Sequence, residues 1–123
     1  MIIKIIYIAS GGAIGSVLRF LFSDFLKIYF PNLPIGTFFV NVLGSFLIGL
    51  FIGILNNKEI SEVVIKYFFI IGLLGSFTTF SAFSLENLQL IEQSKFLISM
   101  IYIIFSVLFC IIAAYFGFNL LKF

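Results

Sequence analysis

The sequence predicts an all-α membrane protein of four transmembrane helices, the third broken near its middle. Three observations carry this. Of 123 residues, 63% are hydrophobic and 10% charged, with a mean hydropathy of +1.30; apolarity at that level, in long runs, belongs to bilayer spans rather than to a soluble core. The runs are punctuated at Pro31 and Pro34, at Asn56 to Glu62 and at Glu92 to Lys95, which leaves four segments of span length. The third segment contains Gly72 to Phe83, GLLGSFTTFSAF, crowded with small and hydroxyl residues that form helix poorly. A lipid-facing helix has no need of them. Unwound backbone at membrane depth does, where protein or a water-filled cavity surrounds it.

The same composition excludes several classes. The length allows a single domain, residues 1–123, with four spans and nothing outside the membrane. There is no His, so imidazole metal sites are out, and the one cysteine, Cys110, permits no intrachain disulfide. The net charge of +2 comes from scattered residues, so nucleic acid is not an expected partner. Lys4 ahead of apolar residues only faintly suggests a signal peptide. Gly11 and Gly12 interrupt the run and no cleavage site follows, so the segment is expected to stay as the first helix. No nucleophile, base and oxyanion set is visible, so the chain is not read as an enzyme.

The first helix is expected over residues 2–29. Gly11/Gly15 and Gly12/Ser16 are small-xxx-small pairs that let another backbone approach. Arg19 lies near that face and either snorkels to the headgroups or faces inward, where it would serve a polar network or attract anions to a pore mouth. Asp24 and Lys27 mark the interface. Pro34 suits the first turn of a second helix over 35–55, where its missing N–H costs nothing. Asn41, Ser45, Gly49 and Gly53 recur every four residues along one stripe. The small residues form a packing ridge. Asn41 must find partners, either as interhelical glue or as a donor facing a polar pathway.

The third helix is expected over 62–90, with a break near 75–79. Phe80 and Phe83 share a face if the helix resumes there, and Ser76, Phe83 and Asn87 follow the same spacing. Freed carbonyls at the break suit a cation and freed N–H groups an anion; the bland alternative is a small-residue surface for a neighbouring helix. Glu86 is the acid nearest the membrane interior. The fourth helix, over 96–121, carries Tyr102, Ser106 and Cys110 four apart, a thin polar track on an Ile/Phe/Leu helix. Each hydroxyl alone is as well explained by a bond to its own helix or a neighbour.

Charge adds a topological expectation. With four spans, Lys4, Lys58, Lys66 and Lys122 share one side, and Arg19, Lys27 and Lys95 the other. Four against three is a weak positive-inside bias, so the chain is expected to insert either way and to pair antiparallel. Four short spans enclose little volume alone, which also favours an oligomer.

Three blocks together, GGAIGSVLR (Gly11 to Arg19), GTFFVNVLGSFLIG (Gly36 to Gly49) and GLLGSFTTFSAF, resemble the small bacterial fluoride channels, the Fluc or CrcB family. Order, spacing and length match over nearly the whole chain. The resemblance implies an antiparallel, dual-topology homodimer in the bacterial plasma (inner) membrane, with two fluoride pores. It also implies a structural sodium ion at the dimer centre, held by the backbone carbonyls of Gly75 and Thr78. The family's pore phenylalanines fall on Phe80 and Phe83, its pore asparagine on Asn41, and its polar track on Tyr102 and Ser106. Cys110 stands where the family often has a hydroxyl. Ser76 and Ala82 replace commoner Gly and Thr.

The residue chemistry is compatible with that. A fluoride pore must replace tightly held water without trapping the ion. Neutral donors suit this: the Asn41 amide and the hydroxyls of Tyr102, Ser106, Thr79 or Ser81. The rings of Phe80 and Phe83 offer positive edges. The other reading of a chain this short is a proton-coupled exporter of cations or drugs. That needs a membrane-embedded carboxylate, for which Glu86 is the sole candidate. A non-transporting assembly subunit would explain the small-residue ridges but not the converging polar stripes.

Overall fold

The computed structural model describes residues 1–56 and 61–121; of the charges invoked for topology, Lys58 and Lys122 lie outside the described residues. Helix α1 spans Ile2–Tyr29 and α2 spans Ile35–Asn56. The third span has three parts: a π-helical segment Val64–Leu74, a short turn α3 at Gly75–Phe77, and α4 at Phe80–Glu92. Helix α5 spans Phe96–Leu120. Among the described residues four helices are long and apolar enough to cross a membrane, with mean hydropathies of 1.7, 2.4, 1.8 and 2.8 in chain order.

The interruption is shorter than the composition suggests. Gly75 keeps helical angles, φ −62° and ψ −29°. Only Thr78 (φ −75°, ψ 152°) and Thr79 (φ −149°, ψ 118°) are extended. Glycine is indifferent to this choice, whereas β-branched threonine favours extended backbone. The glycines serve packing instead: a Cβ on Gly72 would meet the Ile8 carbonyl at 2.9 Å. Winding also changes just ahead of the break. The Gly75 N–H reaches both Ile70 O and Gly72 O, where the wide π turns tighten.

Two close-packed pairs build the bundle. The Gly11 and Gly15 face of α1 lies directly on the π segment, and a Cβ on Gly15 would collide with the Leu73 carbonyl. Gly49 of α2 and Gly117 of α5 face each other's backbones, at Ala114 O and Phe46 O, and neither has room for a Cβ. Without a hydrophobic force between helices in lipid, such backbone proximity is what holds spans together. Val40, Leu74 and Phe77 form the core where α2 meets the third span. A second cluster of Phe83, Leu90 and Tyr102 seats α4 against α5.

Helix α4 ends in a Schellman motif. Lys95 N–H donates to Leu90 O at 2.8 Å and Ser94 N–H to Ile91 O at 2.9 Å, with Ser94 at φ 57°. This tight turn brings α5 back antiparallel to α4.

Candidate functional site

The break is stabilised by side chains that replace the missing backbone bonds. Thr79 N–H donates to Asn41 Oδ1 at 2.7 Å, and Asn41 Nδ2 donates to Thr79 O at 3.0 Å. Thr79 is the N-cap of α4, its hydroxyl accepting from Ala82 N–H at 3.1 Å. That hydroxyl also lies 3.1 Å from Ser81 Oγ. Helix α2 comes this close because position 44 is glycine; a Cβ there would strike the Thr78 methyl.

Two carbonyls are released by this arrangement. In a continuous helix Gly75 O would accept from Thr79 N–H, and Thr78 O from Ala82 N–H. Asn41 and the Thr79 hydroxyl have taken those donors. Gly75 is exposed, and the space in front of its Cα is open except for Ile70 O at 3.5 Å. Neutral carbonyl oxygens freed in pairs are a hard donor set that suits an alkali cation. Among the described residues no cluster of acidic, Cys or His side chains is placed to hold a metal ion.

Two cavities meet at Thr79. The inner one, about 260 Å³, is lined by Asn41, Thr79, Phe80, Phe83, Ser106 and Cys110, with Ser45, Ile48, Thr78 and Val107 completing the wall. Ser106 is 6% exposed, and its Oγ is the buried side-chain polar atom among the described residues that has no partner. The Phe83 ring packs between Phe80 and Tyr102, with centroids 5.3 and 5.1 Å away. Phe80 itself is 78% exposed, an aromatic left without cover within the chain.

The outer cavity, about 460 Å³, gathers Arg19, Lys27 and Lys95 around Thr37, Thr79 and Glu86. Arg19 therefore lines a cavity with three cationic side chains, alongside Lys95 and Lys27, the latter assigned by sequence reading only to the interface. Glu86 takes Thr37 Oγ1 on one oxygen at 2.6 Å and Tyr102 OH on the other at 2.8 Å. Thus Tyr102 commits its only proton to Glu86 and is not a free donor. Neither Tyr102 nor Ser81 lines the inner cavity. Sequence reading missed Thr37, although it stands four residues before Asn41 on the stripe already identified. It also missed the buried Asn87–Ser99 pair: Ser99 Oγ donates to Asn87 Oδ1 at 2.8 Å, fastening α4 to α5.

Fold and site together define a small polytopic membrane protein whose polar groups converge on an interrupted span. The family model described as CrcB-like protein, camphor resistance (CrcB), matches residues 6–118. A Campylobacter jejuni relative named fluoride-specific ion channel FluC is 42% identical over 123 residues, covering 99% of this chain and all of the relative. A Flavobacterium psychrophilum protein of the same name is 43% identical, covering 96% of each chain. One from Agrobacterium fabrum is 40% identical, covering 94% of this chain and 93% of its own. The chain belongs to the CrcB family.

Proposed function

We propose that this chain is a fluoride-selective passive channel of the bacterial plasma membrane, acting as an antiparallel, dual-topology homodimer around a structural sodium ion. The observation that carries the reading is the reciprocal Asn41–Thr79 pair. It holds two residues of a span unwound between an outer cationic cavity and an inner cavity of neutral donors. Relatives named as fluoride-specific channels along the full length supply the choice of anion.

Arg19, Lys27 and Lys95 raise the local anion concentration at the vestibule. An anion then passes the break and enters the inner cavity. There the unpartnered Ser106 hydroxyl, the second N–H of Asn41 and the ring edges of Phe80 and Phe83 take the place of water. None of these binds with full charge, so the ion leaves as readily as it enters. The Thr79 hydroxyl stands at the junction, with the Ser81 hydroxyl behind it at 3.1 Å. Glu86, held by Thr37 and Tyr102, sets the far wall of the vestibule.

Phe80 and Gly75 are both exposed, which supports a second copy packing there. In that assembly Gly75 O and Thr78 O would coordinate sodium, and the ion would neutralise carbonyl dipoles otherwise facing one another across the seam. The test is fluoride efflux from liposomes holding the purified protein, with chloride efflux measured alongside. Fluoride should leave rapidly and chloride should be retained. Equal rates for the two ions sink the selectivity, and flux that follows an imposed proton gradient favours a coupled exporter working through Glu86.

A further inference from the structure

Cys110 is the one polar group of the inner cavity that carries reactive chemistry. It is half-buried on α5, one turn beyond Ser106, and the Ser45 hydroxyl lies beside its thiol. A second observation points to a polar occupant of this cavity. Ser106 Oγ lines it, is nine-tenths buried and finds no protein partner. A buried hydroxyl left unpaired is costly, so it calls for a polar partner on the cavity side. At about 260 Å³ the cavity has room for several waters of about 30 Å³ each. The thiol one turn away lines the same cavity.

We infer that Cys110 is a modification site on the wall of the ion pathway, at which a small thiol-directed electrophile attaches and closes the channel. The accessibility of the thiol stands on the cavity alone, whereas the closure rests on the proposed function. A methylthio group on Sγ extends into the space in front of Ser106. There it removes the water or ion that the hydroxyl requires, and it offers no hydrogen-bond donor in return. Sulfur chemistry in the pathway would distinguish this chain from a protein with a hydroxyl at the position.

With methyl methanethiosulfonate as the probe, the Cys110 thiol loses its proton to water and the thiolate attacks the reagent's sulfenyl sulfur. A Cys110 S–S bond forms, the reagent's bond to its sulfonyl sulfur breaks, and methanesulfinate leaves with the electron pair. The thiol sulfur is oxidised to the disulfide level and the sulfonyl sulfur is reduced. Dithiothreitol reverses the adduct by exchange. Cys110 is the chain's only cysteine, so no other site competes.

The protein is labelled in liposomes and followed by intact mass and by initial fluoride efflux. A single adduct should form, and flux should fall by at least about tenfold, recovering on reduction. Cys110→Ser, compared with its own unlabelled flux, should be indifferent to the reagent. Leu97→Cys in the Cys110→Ser background places a thiol on an exposed position in the first turn of α5, at the end of the span where interfacial water reaches it. It should label without altering flux, which separates closure from general damage to α5. A labelled Cys110 protein that conducts as before overturns the inference. So does a Cys110 that stays unlabelled under conditions that modify Leu97→Cys. Absence of fluoride flux before labelling instead defeats the channel reading, and the mass readout still decides whether the thiol faces water.

Discussion

Asn41→Ala removes both halves of the clamp that holds the break open. The methyl side chain leaves Thr79 N–H and Thr79 O without partners, and Thr79 is 6% exposed. Each buried backbone group left unpaired costs about 1–3 kcal/mol, so the two together would cost about 2–6 kcal/mol. Thr79 borders both cavities, however, and water entering the space left by the carboxamide recovers part of that. The lower end is therefore expected, about 2 kcal/mol, a shift of about 30-fold in the folded-to-unfolded ratio. Denaturation in mixed micelles, followed by tyrosine fluorescence, measures this loss. Fluoride efflux from the folded fraction should fall further than stability does, because the variant also deletes the Asn41 donor from the inner cavity. Unchanged stability with wild-type flux would show that neither the clamp nor the donor matters, and the argument from Asn41 would collapse.

The other expectations concern rings, topology and sodium. Phe80→Ile and Phe83→Ile should each sharply reduce fluoride flux in a folded protein, while Phe116→Ile, on an exposed face of α5, should not; Phe83→Ile should also lose up to about 1.5 kcal/mol of stability, since Phe83 is buried in the protomer. Normal flux from both ring variants would remove them from the pathway. C-terminal reporters specific for each side of the membrane should give substantial signal on both, and signal from one side alone would rule out an antiparallel pair. Flux should decline in verified sodium-free medium. Gly75→Val should mimic that by crowding the carbonyl, and Thr78→Ala should retain the ion because its ligand is main chain; full activity without sodium would dispose of a required ion.

Span number and the interruption of the third helix were legible because they depend on long apolar runs and on a dense Gly/Ser/Thr cluster. The position of the break within that cluster was not. Gly72, Gly75 and Ser76 form helix poorly in isolation, yet here the helix continues through them, and Gly72 lies against Ile8 O on α1. The helical bonds replaced by side chains are those of Thr79 N–H, taken by Asn41 of α2, and of Ala82 N–H, taken by the Thr79 hydroxyl, and the first depends on tertiary structure. Hydroxyl assignments show the same limit. The spacing of Tyr102, Ser106 and Cys110 gave one track, but the structure divides it. Tyr102 turns to Glu86, while Ser106 and Cys110 face the inner cavity. A four-residue period gives the face of a helix; which neighbour awaits each hydroxyl depends on where α2 and α4 come to rest. Thr37 was within reach, since it continues the Asn41 stripe by one turn. The pairing of Asn87 with Ser99 was not, because the Schellman turn at Ser94 sets that register.

The cation and anion chemistry proposed for the break would share one cause. Donors and acceptors in a helix are paired four residues apart, so a side chain that captures an N–H necessarily frees the carbonyl one turn earlier. Asn41 captures residue 79 and thereby frees Gly75 O; the Thr79 hydroxyl captures residue 82 and frees Thr78 O. The two groups that shape the anion side thus create the two candidate cation ligands on the other. A perturbation on one side should then be read on the other. In Asn41→Ala, Thr79 N–H has lost its acceptor and Gly75 O is the nearest helical substitute. Re-formation of that bond would withdraw Gly75 O from the cation, so the sodium concentration supporting half-maximal flux should rise. Thr79→Ala should act likewise through residue 82 and Thr78 O, whereas Ser106→Ala, which lines the inner cavity but captures no backbone N–H, should lower flux with no change in sodium dependence. An Asn41→Ala protein with wild-type sodium dependence and reduced flux would separate the two chemistries and leave the released carbonyls without a role.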